Sequence, residues 1–271
     1  MAAVGRGIGV VKDGYTHPAP ARPEPGAAGR YGRAAFVDVE TTGLDPASDE
    51  IVELAIVLFA FDRETGTITG ILDEYTGLRE PSRPIPRQAT AVHGITQRMV
   101  RGRRLDDARV RALLEQAEFL VAHNARFDRA FVTRLYPETA AKVWLCSMRG
   151  VDWRRHGHAS RALQNLLAAH GIRVERAHRA GADCRAALAL LSCRGRDGDT
   201  YLQELLRGLE PRAAGTPAAG GKAAAGAPTP PAPAPSRHPG RPAAGCATLL
   251  VLLAASGLGL ASLGRVLPPG F

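Results

Sequence analysis

The sequence predicts an α/β domain, a mixed sheet flanked by helices, set between an irregular leader and a Pro/Ala-rich linker. Three observations predict it. Three strand-like runs open the patterned region between residues 34 and 76; helical apolar spacing then alternates with short apolar runs up to residue 209; and Gly/Ala/Pro-rich stretches bound the region on both sides. A strand meander followed by alternating helix and strand signals one layered α/β domain.

The first run, residues 34–40, reads as a buried strand ending at the turn signal Thr41-Thr42-Gly43. Residues 51–61 form the second strand and 67–76 the third, with Thr65-Gly66 in the turn between them. Helices are expected over 105–116 and 125–135, with a short strand at 119–122 between them, and a last strand at 143–146. Further helices are expected near 160–170, 180–193 and 200–209. The domain therefore runs from 32 to 210. Residues 1–31 are an irregular leader rich in Gly, Ala and Pro, and 211–244 a linker whose Pro228 to Pro235 stretch favours extended, polyproline-like backbone.

Charge is concentrated outside that domain. The chain carries +9, but residues 32–210 hold 26 Lys/Arg and 24 Asp/Glu, a net of only +2. The basic character belongs largely to the flanks and points only weakly to a polyanionic partner. The 45% hydrophobic content is enough for a real core. The four cysteines, Cys146, Cys184, Cys193 and Cys246, include no Cys-x-x-Cys pair, which argues against a zinc module or a dense disulfide framework. The N-terminus lacks the apolar run of a secretory signal, so a reducing cytoplasm is expected. Residues 245–271 form an apolar tail. From Pro242 to Gly264 no charge occurs over 23 residues, between Arg241 and Arg265. That length suits a bilayer-spanning segment anchored at the inner face of the cell membrane, but its Ala, Gly and Ser content suits a peripheral tail, a partner-docking segment or disorder equally well.

Three short motifs carry the chemistry. In Phe36-Val37-Asp38-Val39-Glu40 the two acids stand at i and i+2 of a strand, facing one way about 7 Å apart. Carboxylates at the end of an apolar strand are costly without a counter-charge, and hard oxygen donors suit magnesium or manganese. Alone, the pair reads better as a polar strand end running into a turn. In His123-Asn124-Ala125-Arg126-Phe127-Asp128, Asn124 is placed to cap a helix that carries Asp128 one turn in, on its inward face. In His178-Arg179-Ala180-Gly181-Ala182-Asp183, Asp183 falls in the first turn of an Ala/Leu-rich helix and His178 in the loop entering it. A carboxylate there is stabilised by the helix dipole whatever its function.

In this order and spacing the three motifs resemble the DEDDh superfamily of 3′→5′ exonucleases, in particular its epsilon-type proofreading and ribonuclease T branches. The resemblance covers about residues 33–193. It takes in Ala91-Val92-His93-Gly94-Ile95-Thr96 and Leu163-Gln164-Asn165-Leu166-Leu167. The His-x4-Asp spacing sets the chain apart from the branch with Tyr-x3-Asp. The resemblance implies a ribonuclease H-like fold and an enzyme hydrolysing phosphodiester bonds at nucleic-acid 3′ ends. It implies two Mg²⁺ or Mn²⁺ ions held by Asp38, Glu40, Asp128 and Asp183, with His178 as general base. Thr41, Thr42 and Gly43 would then offer backbone N–H groups to the terminal nucleotide, Leu44 would wedge against a base, and His93, Asn124 and Phe127 would line the pocket.

The implied partner is a single-stranded or frayed 3′ end, DNA before RNA, with release of 5′ mononucleotides. A DNA polymerase is a further candidate partner, although the tail does not look like the polymerase-binding segment of the proofreading subunits. An exoribonuclease is the alternative within this class. A non-catalytic nucleic-acid-binding or polymerase-docking module is the alternative from another, and the full set of acids with His178 argues against it. Other residues read as structural: His123 at a strand end, Trp144 and Trp153 in or near the core, and Arg101-Gly102-Arg103-Arg104 and Arg154-Arg155 as solvated charge.

Overall fold

The sheet is built around one strand that is buried on both faces. In the computed structural model, which describes residues 29–174 and 177–209, β1 (Tyr31–Thr41) pairs antiparallel with β2 (Ile51–Asp62) and parallel with β4 (Phe119–Ala122). Outside these lie β3 (Ile68–Leu78), antiparallel to β2, and β5 (Val143–Cys146), parallel to β4. The order β3-β2-β1-β4-β5 is the mixed sheet expected of a ribonuclease H-like fold. Residues 1–28 of the leader, the linker and the tail lie outside the described residues, as does Cys246, whereas Tyr31 of the expected leader opens β1. Among the described residues no helix is long and apolar enough to cross a membrane.

Alternation along the central strands sorts the core into two layers. Ala34 and Phe36 of β1, with Ala55, Val57, Phe59 and Phe61 of β2, face α6 (Leu163–Ala169), α7 (Ala180–Leu191) and α8 (Tyr201–Arg207). Ala35, Val37 and Val39, with Leu54, Ile56 and Leu58, face α3 (Asp107–Gln116) and α4 (Ala125–Leu135). Asp38 and Glu40 share the parity of Ala34 and Phe36, so they point toward the α7 side at the carboxyl end of β1. The β1–β2 register breaks between Glu40 and Thr41, which ends the regular ladder where the loop begins.

The strands and main helices fall within two or three residues of expectation. Two short helices were not expected, α1 (Arg87–His93) and α2 (Gln97–Val100). Each buries one residue, His93 and Val100, so neither has an apolar stripe to betray it. α1 ends at Gly94, whose φ of 70° suits glycine and whose N–H donates to the Thr90 carbonyl. A 3₁₀ turn (Pro137–Ala141) and the one-turn α5 (Ser147–Gly150) complete the elements. The helix expected from 160 begins only at Leu163, because its N-cap, Ala162, is extended.

Candidate active site

Three elements converge where β1 ends. β1 brings Asp38 and Glu40, α7 arrives on their side with Asp183, and α4 approaches from the other layer with Asp128. Oxygens of Asp38, Glu40 and Asp183 lie within 4.8 Å of one another. Asp128 stands outside that tightest group, with its Oδ1 accepting the Val39 N–H at 3.3 Å. It is nonetheless among the charges that act on Asp38. Asp183 is fixed at both oxygens: Oδ1 accepts Gln164 Nε2 at 3.0 Å and Oδ2 accepts the His178 N–H at 2.9 Å.

Electrostatics mark the cluster as short of positive charge. Burial, then the neighbouring Asp128, Glu40 and Asp183, holds the Asp38 carboxyl well above its ordinary range. Glu40 is pushed up to about 8, chiefly by burial and then by Asp183, Glu53 and Asp128, with Arg179 pulling the other way. Burial raises Asp128 to about 7 against the N–H bonds it accepts, and it raises Asp183 too. Four carboxyl groups in one pocket thus resist ionising together, a condition that a divalent cation relieves. The donor set, all carboxylate oxygen, fits Mg²⁺ or Mn²⁺.

Of the residues expected to receive a nucleotide, Thr42 and Asn124 stand otherwise than expected. The Thr42 N–H is not free for a ligand: it donates to the Glu50 carbonyl at 2.9 Å, and the Thr42 hydroxyl bonds Asp49 Oδ1 at 2.9 Å. The loop folds back on itself because Asp49 packs under Gly43, where any Cβ would come within 2.4 Å of the Asp49 carboxylate. Thr41 is buried with its hydroxyl on the Gly43 carbonyl, and Leu44 projects into solvent at 75% exposure. Asn124 occupies the N-cap position of α4, but its side chain makes no capping bond and is exposed. Phe127 is half-buried against Phe131, ring centroids 4.8 Å apart.

His93 is buried, and its Nδ1 accepts the Ile95 N–H at 2.9 Å, so Nε2 carries the proton of the neutral ring. That Nε2 makes no well-formed hydrogen bond among the described residues, and the Thr41 backbone is the polar group that acts on it. An unsatisfied buried donor is costly and suits a pocket that receives an acceptor. His178 is exposed at the rim, in a left-handed backbone conformation with φ 60°.

Sequence reading missed one buried group. Glu53 on β2 lies opposite Glu40, 1% exposed, and forms an ion pair with Arg179. A glutamate inside an otherwise apolar strand was the available signal. His123, Trp144 and Trp153 are structural, as expected. Both His123 ring nitrogens are engaged, by the Ser147 hydroxyl and the Arg161 carbonyl, and each tryptophan N–H donates to a backbone carbonyl. Cys146, Cys184 and Cys193 form no disulfide with one another.

The RNase_T family model, described as exonuclease, matches residues 35–191 and so spans all five motif residues. The chain belongs to this exonuclease family. It is 37% identical over 129 residues to a PolC-type DNA polymerase III of Thermotoga maritima, covering 46% of this chain and 8% of that polymerase. It is 31% identical over 163 residues to the DNA polymerase III subunit epsilon of Treponema pallidum, covering 57% of this chain and 73% of the subunit. The chain thus spans a small part of the PolC-type relative. Among solved structures, exonuclease X in complex with 5′ overhanging duplex DNA is 26% identical, with a TM-score of 0.44, over 65% of this chain and 92% of that one.

Proposed function

We propose that this member of the exonuclease family removes nucleotides from the 3′ end of single-stranded or frayed DNA in a metal-dependent hydrolysis that releases 5′ mononucleotides. The observation that carries the reading is the carboxylate cluster at the end of β1, in which Asp38, Glu40 and Asp183 crowd within 4.8 Å without matching positive charge. The nearest arginine, Arg179, is already paired with Glu53. Asp38, Glu40, Asp128 and Asp183 would hold two Mg²⁺ or Mn²⁺ ions. Such a pair, when bound, shields the phosphate, activates the attacking water and stabilises the leaving 3′ oxygen.

The chain's own groups supply the rest. His178, exposed at the rim beside Asp183, accepts a proton from the attacking water. Gln164 and the His178 N–H keep the Asp183 carboxylate turned into the cluster. The Nε2–H of His93 and the free amide of Asn124 receive the terminal nucleotide, and Leu44 and Phe127 bracket its base. None of these reads base identity, so weak sequence preference follows. DNA as substrate and a polymerase as partner draw support from the names of the PolC-type and epsilon relatives.

Matched DNA and RNA oligonucleotides, linear and circular, test the reading in one assay with Mg²⁺. Linear single-stranded DNA should be degraded fastest, RNA more slowly, and closed circles not at all. Cutting of circles at the linear rate would make the enzyme an endonuclease, and faster turnover of RNA would make it an exoribonuclease.

A further inference from the structure

The pair Glu53–Arg179 supplies none of the expected metal ligands, yet it is the most enclosed arginine–carboxylate pair among the described residues. The Glu53 side chain is 1% exposed and that of Arg179 27%. Arg179 grips the carboxylate with two nitrogens: Nε lies 3.2 and 3.1 Å from the two oxygens, and Nη2 lies 2.5 Å from Oε1. Oε2 also accepts the Ala180 N–H at 2.9 Å, at the first residue of α7. With both oxygens engaged, Glu53 is held as an anchor and is not free to serve as a fifth metal ligand. Its place directly across from Glu40 makes that anchor costly, since like charges opposite each other in a sheet repel. A costly arrangement kept in a core calls for a role.

What it anchors is the corner holding His178. Arg179 is extended, at φ −130° and ψ 116°, and His178 just before it is left-handed. Among the described non-glycine residues His178 alone has positive φ. A left-handed histidine is strained and persists only where its surroundings over-determine it. Here two carboxylates do so from opposite sides: Asp183 takes the His178 N–H, and Glu53 takes the Arg179 side chain and the Ala180 N–H. Freed of the Arg179 tether, the corner can relax toward negative φ, and relaxation turns the imidazole off its line of approach. Ala180 keeps its bond to Glu53, so α7 and Asp183 stay in place.

We propose that Glu53–Arg179 is a positioning clamp, bolting the loop that carries the general base to the central sheet and thereby setting the reach of His178. This rests on the exonuclease reading above, with His178 as its base. The clamp acts on turnover and not on binding of the nucleic acid, because neither residue is placed in the nucleotide pocket.

The test is a set of variants of the full chain assayed on a single-stranded DNA oligonucleotide with Mg²⁺. Arg179→Met should lower kcat about 10–100-fold while KM stays within about threefold. Arg179→Lys, a point charge without the fork, should recover part of the loss. Leaving Glu53 charged and unpaired also threatens stability, so the double variant Glu53→Gln/Arg179→Met separates the two effects. It should regain the thermal midpoint lost in Arg179→Met without regaining kcat. In a His178→Ala background, Arg179→Met should cost less than about threefold in kcat, because the base it positions is gone. The clamp is overturned if Arg179→Met turns over at the wild-type rate, if the double variant recovers kcat together with stability, or if the loss is undiminished in the His178→Ala background. Absence of turnover in the wild type would instead overturn the exonuclease reading, which keeps the two failures apart.

Discussion

Binding of Mg²⁺ or Mn²⁺ to this protein should expel protons from the carboxylate cluster. In the metal-free protein Glu40 has a pKa of about 8 and Asp128 of about 7. At pH 7 the first is roughly nine-tenths protonated and the second roughly half, so ionising both releases about 1.4 protons. Asp38, held well above the ordinary range by burial and by its acidic neighbours, shifts in the same direction. Since these groups share one volume, protons leave the set and not a single residue. Apparent metal affinity should therefore climb steeply with pH near neutrality and level off above pH 9, as Glu40 and Asp128 come to be ionised beforehand. Calorimetric titration of the chelator-stripped protein with Mn²⁺, in buffers of different ionisation enthalpy, counts the protons directly. A count above about one at pH 7 is expected. Fewer than about half a proton would refute the picture of a charge-starved carboxylate cluster.

The same shifts fix the pH dependence of the metal-free fold. Glu40 and Asp128 have folded pKa values above their unfolded ones, so the stability they lend is full below about pH 4 and is lost as pH rises through about 7 and 8. Thermal melts in chelator should show the midpoint falling between pH 5 and 8.5; a midpoint that rises across that range contradicts the sign. Asp38→Asn removes one of the crowded charges at nearly constant shape. It should raise the metal-free midpoint while lowering turnover by roughly 10³-fold or more, as loss of a metal ligand predicts; a variant both less stable and fully active would exclude the assigned role. His178→Ala should lose roughly 10²–10⁴-fold in kcat, the scale of a positioned general base. Because its side chain is exposed and off the carboxylate set, the metal-induced rise in thermal midpoint should be unchanged. Wild-type turnover in this variant would move the search for the base to His93, because both His123 ring nitrogens are engaged.

Much of this architecture was legible because period and burial agree. β1 and β2 announce themselves as apolar runs, and the two-residue period alone puts Asp38 and Glu40 on one face. What the sequence did not reveal shares a cause: polar groups whose partners lie far along the chain. Asn124 looks like a helix cap by type and position, yet its side chain makes no capping bond. Thr42 looks like an open donor in a turn, yet Glu50 returns across the loop to take its N–H. Glu53 is separated from Arg179 by 126 residues, so no local spacing could join them. α1 was invisible for a different reason: with only His93 buried, it is held by its Gly94 end and carries no apolar face.

The central claim is that the carboxylate cluster hydrolyses the terminal phosphodiester from the 3′ side. Single-stranded DNA labelled in its 3′-terminal nucleotide and bearing a free 3′ hydroxyl tests this most directly, with released label followed in Mg²⁺, in chelator and with the Asp183→Asn protein. The account predicts early release of the label as a 5′ mononucleotide, in Mg²⁺ and with the wild-type protein only. Label leaving in longer fragments, or released at the same rate in chelator or by Asp183→Asn, would contradict it.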